Sequence, residues 1–151
     1  MQISNEVIQF IRRQRMGYVA TVNADGTPNL SPKGTLTALD ASQLVFANIA
    51  SPNTMENIQR GSKAEVNVLD IFSRRGYRFR CHLQIFDYQQ QMFEKLLKFY
   101  LEIELDLSPY PVEAFVLLQI ESWSELRSPA YFNGSSEASL QEFYYDYYKQ
   151  I

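Results

Sequence analysis

Three strand-forming segments succeed one another between Gly17 and Asn48 with no helix between them, and this order restricts the fold more than any other feature of the chain. "GYVATVN" and "NLSPKGTLTAL" flank "ADGTP", in which Asp25 and Gly26 signal a hairpin turn, and "QLVFAN" follows after "LDAS". A parallel doubly wound sheet needs a helix in each crossover, so this order excludes it. Strands joined by such short turns pair antiparallel.

The remainder of the chain extends the same pattern. "SPNTMENIQRG" predicts a short helix closed by Gly61, "AEVNVLD" a fourth strand, "YRFRCHLQIFD" a long fifth and "EAFVLLQIESWSEL" a sixth. In the fifth, Tyr77, Phe79, Cys81, Leu83 and Ile85 alternate with Arg78, Arg80, His82 and Gln84, the signature of a strand buried on one face. Ser4 caps "NEVIQFIRRQR", whose Val7, Ile8 and Ile11 share a face with Ile3 while Arg12, Arg13 and Arg15 load its last turn. "YQQQMFEKLLKFYLEI" is amphipathic at helical spacing, and a tyrosine-dense tail over about 134–151 predicts a last helix. Six antiparallel strands and few helices predict a mainly β (α+β) fold, a small split β-barrel with flanking helices, because closure hides strand edges. No repeat or linker divides the chain, so 1–151 reads as a single domain.

Composition sets limits on partners. At 151 residues and 46% hydrophobic the chain supplies a core for one compact domain. A net charge of −3 and a pI near 5.2 argue against nucleic-acid binding, despite Arg12, Arg13, Arg15, Arg74, Arg75, Arg78 and Arg80. Cys81 is the lone cysteine, so no internal disulfide forms, which fits a reducing cytoplasm. No apolar run reaches membrane-spanning length, and no membrane partner is expected. His82 follows Cys81 on the opposite face of a strand, and with no second histidine a metal centre is not expected. Glu102, Glu104 and Asp106 read as a solvated helix exit, and no nucleophile–base set can be assembled.

The chemistry-bearing stretch is "LVFANIASPNTMENI", where a strand hands over to a helix N-terminus. Ser51 suits the cap and Pro52 the first turn, with Asn53 and Glu56 a capping box in the alternative register. Free N–H groups and hydroxyls there, on Ser51, Asn53 and Thr54, suit an anion. Taken alone, they equally suit a helix cap without a ligand.

Three motifs in order, "GYVATVNADGTPNLSPKGTL", "LVFANIASPNTMENI" and "VNVLDIFSRRGYRFRC", resemble the pyridoxamine 5′-phosphate oxidase family of FMN-binding split barrels, particularly its short members related to small FMN-binding proteins. The resemblance covers roughly residues 1–131. It implies a homodimer with two FMN sites at the subunit interface, the phosphate held at Ser51, Asn53 and Thr54 and the ring along the second and third strands. It further implies flavin contacts at Lys33, with Ser31 on the same side of its strand, and at Asn48. Many relatives carry Lys or Arg where this chain has Asn53, so the phosphate charge is expected to be balanced by Arg74 and Arg75, often from the partner subunit in relatives. "SPAY", Ser128 to Tyr131, resembles a late segment of the short relatives that folds over the site.

The implied function is that of an FMN-dependent oxidoreductase or electron carrier, the flavin supplying the redox chemistry and no side chain acting as nucleophile. Authentic pyridoxamine phosphate oxidases end in an Arg-Leu-x-Pro type segment, whereas this chain ends "YYDYYKQI", so that activity is not expected. A second reading keeps the barrel as a non-catalytic flavin- or haem-binding or sensing module. The tail's Phe143, Tyr144, Tyr147 and Tyr148, at helical spacing, are expected to pack in the dimer.

Overall fold

The computed structural model describes residues 1–151. Its elements run α1 (Asn5–Gln14), β1 (Gly17–Val22), β2 (Pro28–Lys33), β3 (Thr37–Ala38), β4 (Gln43–Asn48), α2 (Pro52–Gln59), β5 (Ala64–Asp70), β6 (Arg75–Asp87), α3 (Gln91–Glu102), β7 (Ala114–Arg127), a 3-10 turn at Pro129–Asn133, and α4 (Glu137–Lys149).

All seven strands form one sheet in the order β2-β1-β5-β6-β7-β4-β3, and every pairing is antiparallel. The connectivity itself bends that sheet. A flat sheet of seven strands would hold its edges about 29 Å apart at the usual strand spacing. Yet β2 and β3, the two edges, are joined by residues 34–36 alone, which reach roughly 15 Å at most. The edges must therefore curl toward each other, giving the split barrel. The sequence predicts one strand over 29–39. It breaks instead into β2 and β3 at Gly34, where the chain passes from one edge to the other, so the strands number seven rather than six.

Alternation along the strands sorts two cores. Leu44 and Phe46 of β4 and Val116, Leu118 and Ile120 of β7 point into the barrel with Val19, Val66, Phe79 and Cys81. Helix α1 adds Val7, Phe10 and Ile11 to this core, and α2 adds Ile58. The intervening residues Val45, Ala47, Phe115 and Leu117 face outward and are covered by Phe93, Leu96 and Tyr100 of α3. At roughly 25 cal/mol per Å² of apolar area removed from water, such layers dominate the stability.

Local signals behave as their chemistry requires. Gly26 takes φ +83° in the β1–β2 turn, and the Ser4 hydroxyl accepts from the Val7 N–H at 3.3 Å. Gly76 at the start of β6 leaves no room for a side chain, since a Cβ there would lie 2.1 Å from the Val68 carbonyl oxygen. Cys81 is buried, while His82 on the other face reaches Glu121, the extra residue of a bulge in β7 opposite Arg80 and Cys81. No helix is long and apolar enough to cross a membrane.

Candidate functional site

The end of β2, the link to β3 and the start of α2 enclose a cleft of about 300 Å³. Lys33 and Ser51 both line it, with Thr35, Ile49, Leu105 and Tyr110 among its walls. This volume lies at the small end of the range for small-molecule sites.

Lys33 decides the electrostatics. It is 7% exposed, its Nζ donates to the Ser31 hydroxyl, and the ammonium sits over the Phe46 ring at 5.4 Å. No carboxylate pairs with it, and burial pushes its pKa below the ordinary lysine value. A buried cation without a counterion favours an incoming anion.

Helix α2 begins at Pro52, with Ser51 as its first flanking residue. The Ser51 side chain does not cap the helix. Its hydroxyl donates to Asn48 Oδ1 at 2.9 Å, and the Asn53–Glu56 capping box expected from the alternative register does not form. The Asn53 and Thr54 N–H groups consequently have no acceptor within the chain, because Pro52 offers none and the first helical bond is that of Met55 to the Ser51 carbonyl, at 3.0 Å. These are the free donors that the sequence suggests.

The candidate residues fall into three groups. Ser31, Lys33, Asn48 and Ser51 form two hydrogen-bonded pairs in or beside the cleft. Thr54 is 1% exposed, and its hydroxyl accepts from Asn29 Nδ2 at 3.2 Å, so its side chain belongs to the seam under α2. In that seam Asn57 Nδ2 donates to Thr21 at 3.0 Å and Asn23 at 2.9 Å, and Asn29 donates to Thr21 at 3.2 Å. Asn53 opens onto a neighbouring polar hollow with Asn23, Asp25 and Arg60.

Within one chain Arg74 and Arg75 lie away from that chain's own cleft. Arg74 lines a separate groove, and both guanidiniums are held by the C-terminal helix. "SPAY" forms the 3-10 turn over this same region, where the Tyr131 hydroxyl donates to the Ser73 carbonyl. Of the tail aromatics, Tyr144 and Tyr148 pack on Arg74 of their own chain, whereas Phe143 and Tyr147 are exposed. The seam residues Asn29 and Asn57 escape sequence reasoning, because single asparagines in a strand and a helix carry no pattern. Asn29 is nonetheless in phase with Ser31 and Lys33 on β2, and that period of two was the available signal.

Comparison with known proteins accords with this fold. The family model for pyridoxamine 5′-phosphate oxidase matches residues 3–126. The chain belongs to the pyridoxamine 5′-phosphate oxidase family. Among solved structures it resembles a pyridoxamine 5′-phosphate oxidase-type protein of Lactobacillus delbrueckii, with 28% identity over 82% of this chain and 93% of the other at a TM-score of 0.68. It also resembles HupZ of Group A Streptococcus, with 26% identity over 83% and 95% at a TM-score of 0.69. An FMN-binding protein of Syntrophomonas wolfei shares the fold, with 16% identity over 82% and 88% at a TM-score of 0.63. No curated protein gives a significant match. Residues 127–151 lie beyond the matched family region.

Proposed function

We propose that this protein binds FMN at the cleft between β2 and α2 and works as a flavin-dependent oxidoreductase or electron carrier. The observation that carries the reading is Lys33, a buried ammonium with no carboxylate partner, in a cleft that Ser51 at the start of α2 also lines, next to the unpaired N–H groups of Asn53 and Thr54 that follow Ser51 in the chain. A phosphate needs both.

The residues present fit such a group. The Asn53 and Thr54 N–H groups, with the positive end of the α2 dipole, receive phosphate oxygens, and Lys33 supplies the compensating charge. Ser31, Asn48 and Ser51 offer hydroxyl and amide bonds, while Ile49, Leu105 and Tyr110 give an apolar wall. When bound, FMN supplies one- and two-electron transfer, and the protein sets its access and surroundings. This assignment balances the phosphate without Arg74 and Arg75.

A homodimer belongs to the same reading. Tyr18, Val22 and Leu30 stand on the outward face of β1 and β2, where Leu30 is 66% exposed, and α3 covers only the opposite side of the barrel, over β4 and β7. A second copy would remove this apolar surface from water beside the cleft. The non-catalytic reading keeps the same cleft. It draws on the single unpaired cation, which is sparse provision for a phosphate dianion.

Titration with FMN and riboflavin tests the proposal. A charged hydrogen bond contributes about 1.5–3 kcal/mol, so FMN is expected to bind on the order of tenfold to a hundredfold more tightly than riboflavin. Equal affinities, or no binding of either at micromolar concentration, would remove the assignment. Failure of the bound flavin to accept electrons from reduced nicotinamide or a second carrier favours the non-catalytic reading.

A further inference from the structure

Helix α2 is seated by polar bonds where apolar contact is the rule. Of its eight residues Thr54, Asn57 and Ile58 are buried, so Ile58 is its one fully buried apolar anchor, with Met55 half-buried against the same core. A surface helix ordinarily docks through an apolar stripe. Here Thr54 and Asn57, three residues apart and therefore on one face, meet the polar side chains of β1 and β2 instead.

The bonds form one continuous network. Asn29 on β2 donates to the Thr54 and Thr21 hydroxyls, each at 3.2 Å, and so engages both of its amide hydrogens. Asn57 donates to the same Thr21 hydroxyl at 3.0 Å and to Asn23 Oδ1 at 2.9 Å. Its own Oδ1 accepts from Arg60, which also donates to the Val22 carbonyl at 3.1 Å. No buried side-chain polar atom of this seam lacks a partner. Such a network adds little net stability, since paired apolar groups of the same shape would hold the helix about as well. What it adds is direction: an apolar face can slide or roll on its neighbour, whereas a satisfied set of hydrogen bonds admits one placement.

That placement bears on the cleft. Asn29 ties the strand that carries Ser31 and Lys33 to the helical turn whose Asn53 and Thr54 N–H groups are unpaired. We infer that Asn29 and Asn57 are positioning residues for the anion end of the flavin cleft, holding the first turn of α2 in register with Lys33 so that the helix N–H groups and the ammonium act on one phosphate. The inference rests on the FMN reading above. Neither asparagine lines the cleft, so both act through the helix and not by touching the ligand. The ring end is independent of them, because Ile49, Leu105 and Tyr110 belong to other segments. A binding constellation loses its grip once its groups stray by more than about 0.5 Å, which makes the seam matter to the phosphate before it matters to the fold.

Two variants test the role, each titrated with FMN and with riboflavin while melting curves follow the fold. Asn29→Leu cuts the link to Thr54, and Thr21→Val/Asn29→Leu/Asn57→Leu replaces the centre of the network by apolar groups of similar shape, a change that folded proteins tolerate. Both leave Lys33 and the Asn53 and Thr54 N–H groups in the chain. FMN affinity is expected to fall on the order of tenfold in each, with riboflavin affinity held within about twofold. A purely structural role would weaken both ligands alike or neither. Equal losses for the two flavins, an undiminished preference for FMN, or loss of the folded state in both variants would each overturn the role. The parent chain separates this from the FMN reading itself: equal binding of the two flavins by the parent removes the phosphate assignment and the role together, whereas a parent that prefers FMN beside variants that keep its preference removes the role alone.

Discussion

The Lys33 ammonium stands 5.4 Å from the centre of the Phe46 ring, inside a barrel that supplies it with a hydroxyl but no carboxylate. Phe46 belongs to the interior core, so the cation is packed against the most apolar part of the molecule. Its position follows from the period of β2, which turns Asn29, Ser31 and Lys33 inward and leaves Leu30 and Pro32 outside. A cation–π contact and one hydrogen bond offset only part of the desolvation cost.

Lys33 therefore makes stability depend on alkaline pH in a defined direction. Its pKa is lowered in the folded chain by burial, so between that value and the ordinary 10.5 the unfolded chain binds more protons. Stability attributable to this residue rises with pH through that window, and the penalty is fully present below it. Urea unfolding should find Lys33→Met most favoured relative to the parent chain at neutral pH, with the advantage shrinking as pH approaches 10.5. A difference that stayed constant with pH would mean that the ammonium is solvated.

Cys81 should be inert in the folded protein. It is fully buried in the barrel, and burial first, with the nearby Glu121 charge second, pushes its thiol up to about 12. The thiolate that reacts is thus scarce as well as inaccessible. Labelling by a disulfide reagent at mildly alkaline pH should proceed at the rate of opening of the barrel and become fast in denaturant. Rapid labelling of the native chain would place the thiol at the surface.

What the sequence discloses and what it hides divide along the range of the interactions. The Asp25-Gly26 turn, the Ser4 cap and the in-and-out alternation of β6 are set within a few residues, and all are readable in the chain. The break of the second strand at Gly34 is not, because it arises from closing the sheet, a constraint on edges that lie far apart in strand order. Ser51 reads as a cap by type, yet Asn48, three residues earlier, competes for its hydroxyl and wins. The engagement of Arg74 by Tyr148 spans most of half the chain and leaves no local pattern. The extra residue Glu121 in β7 likewise has no signal of its own, since a bulge is visible only against the partner strand.

The last prediction concerns Tyr100, which fastens α3 to the wall of the cleft. Its hydroxyl donates to the Thr35 carbonyl at 2.7 Å and to the Val45 carbonyl at 3.2 Å, while its ring stacks on Phe115 with centroids 5.5 Å apart. Tyr100→Phe keeps the ring and its packing but leaves the Thr35 carbonyl without this donor. The loss of a buried hydrogen bond costs about 1–2 kcal/mol, which for a chain of this size lowers the melting temperature by about 2–8 °C. Thr35 also accepts from the Ala47 N–H at 2.9 Å and lines the cleft, so the substitution should weaken flavin binding as well as the fold. The pH dependence tests whether the hydroxyl is held protonated in the folded chain. Burial holds the phenol well above its ordinary value, so it stays protonated in the folded chain, and the difference between parent and variant should be flat below about pH 9. Above that, the tyrosine of the unfolded parent ionises and favours unfolding, so the parent's advantage should decline. A loss of stability that persisted unchanged above pH 10, the ordinary tyrosine value, would mean that the phenol ionises as readily in the folded chain as in the unfolded one, and so is not buried.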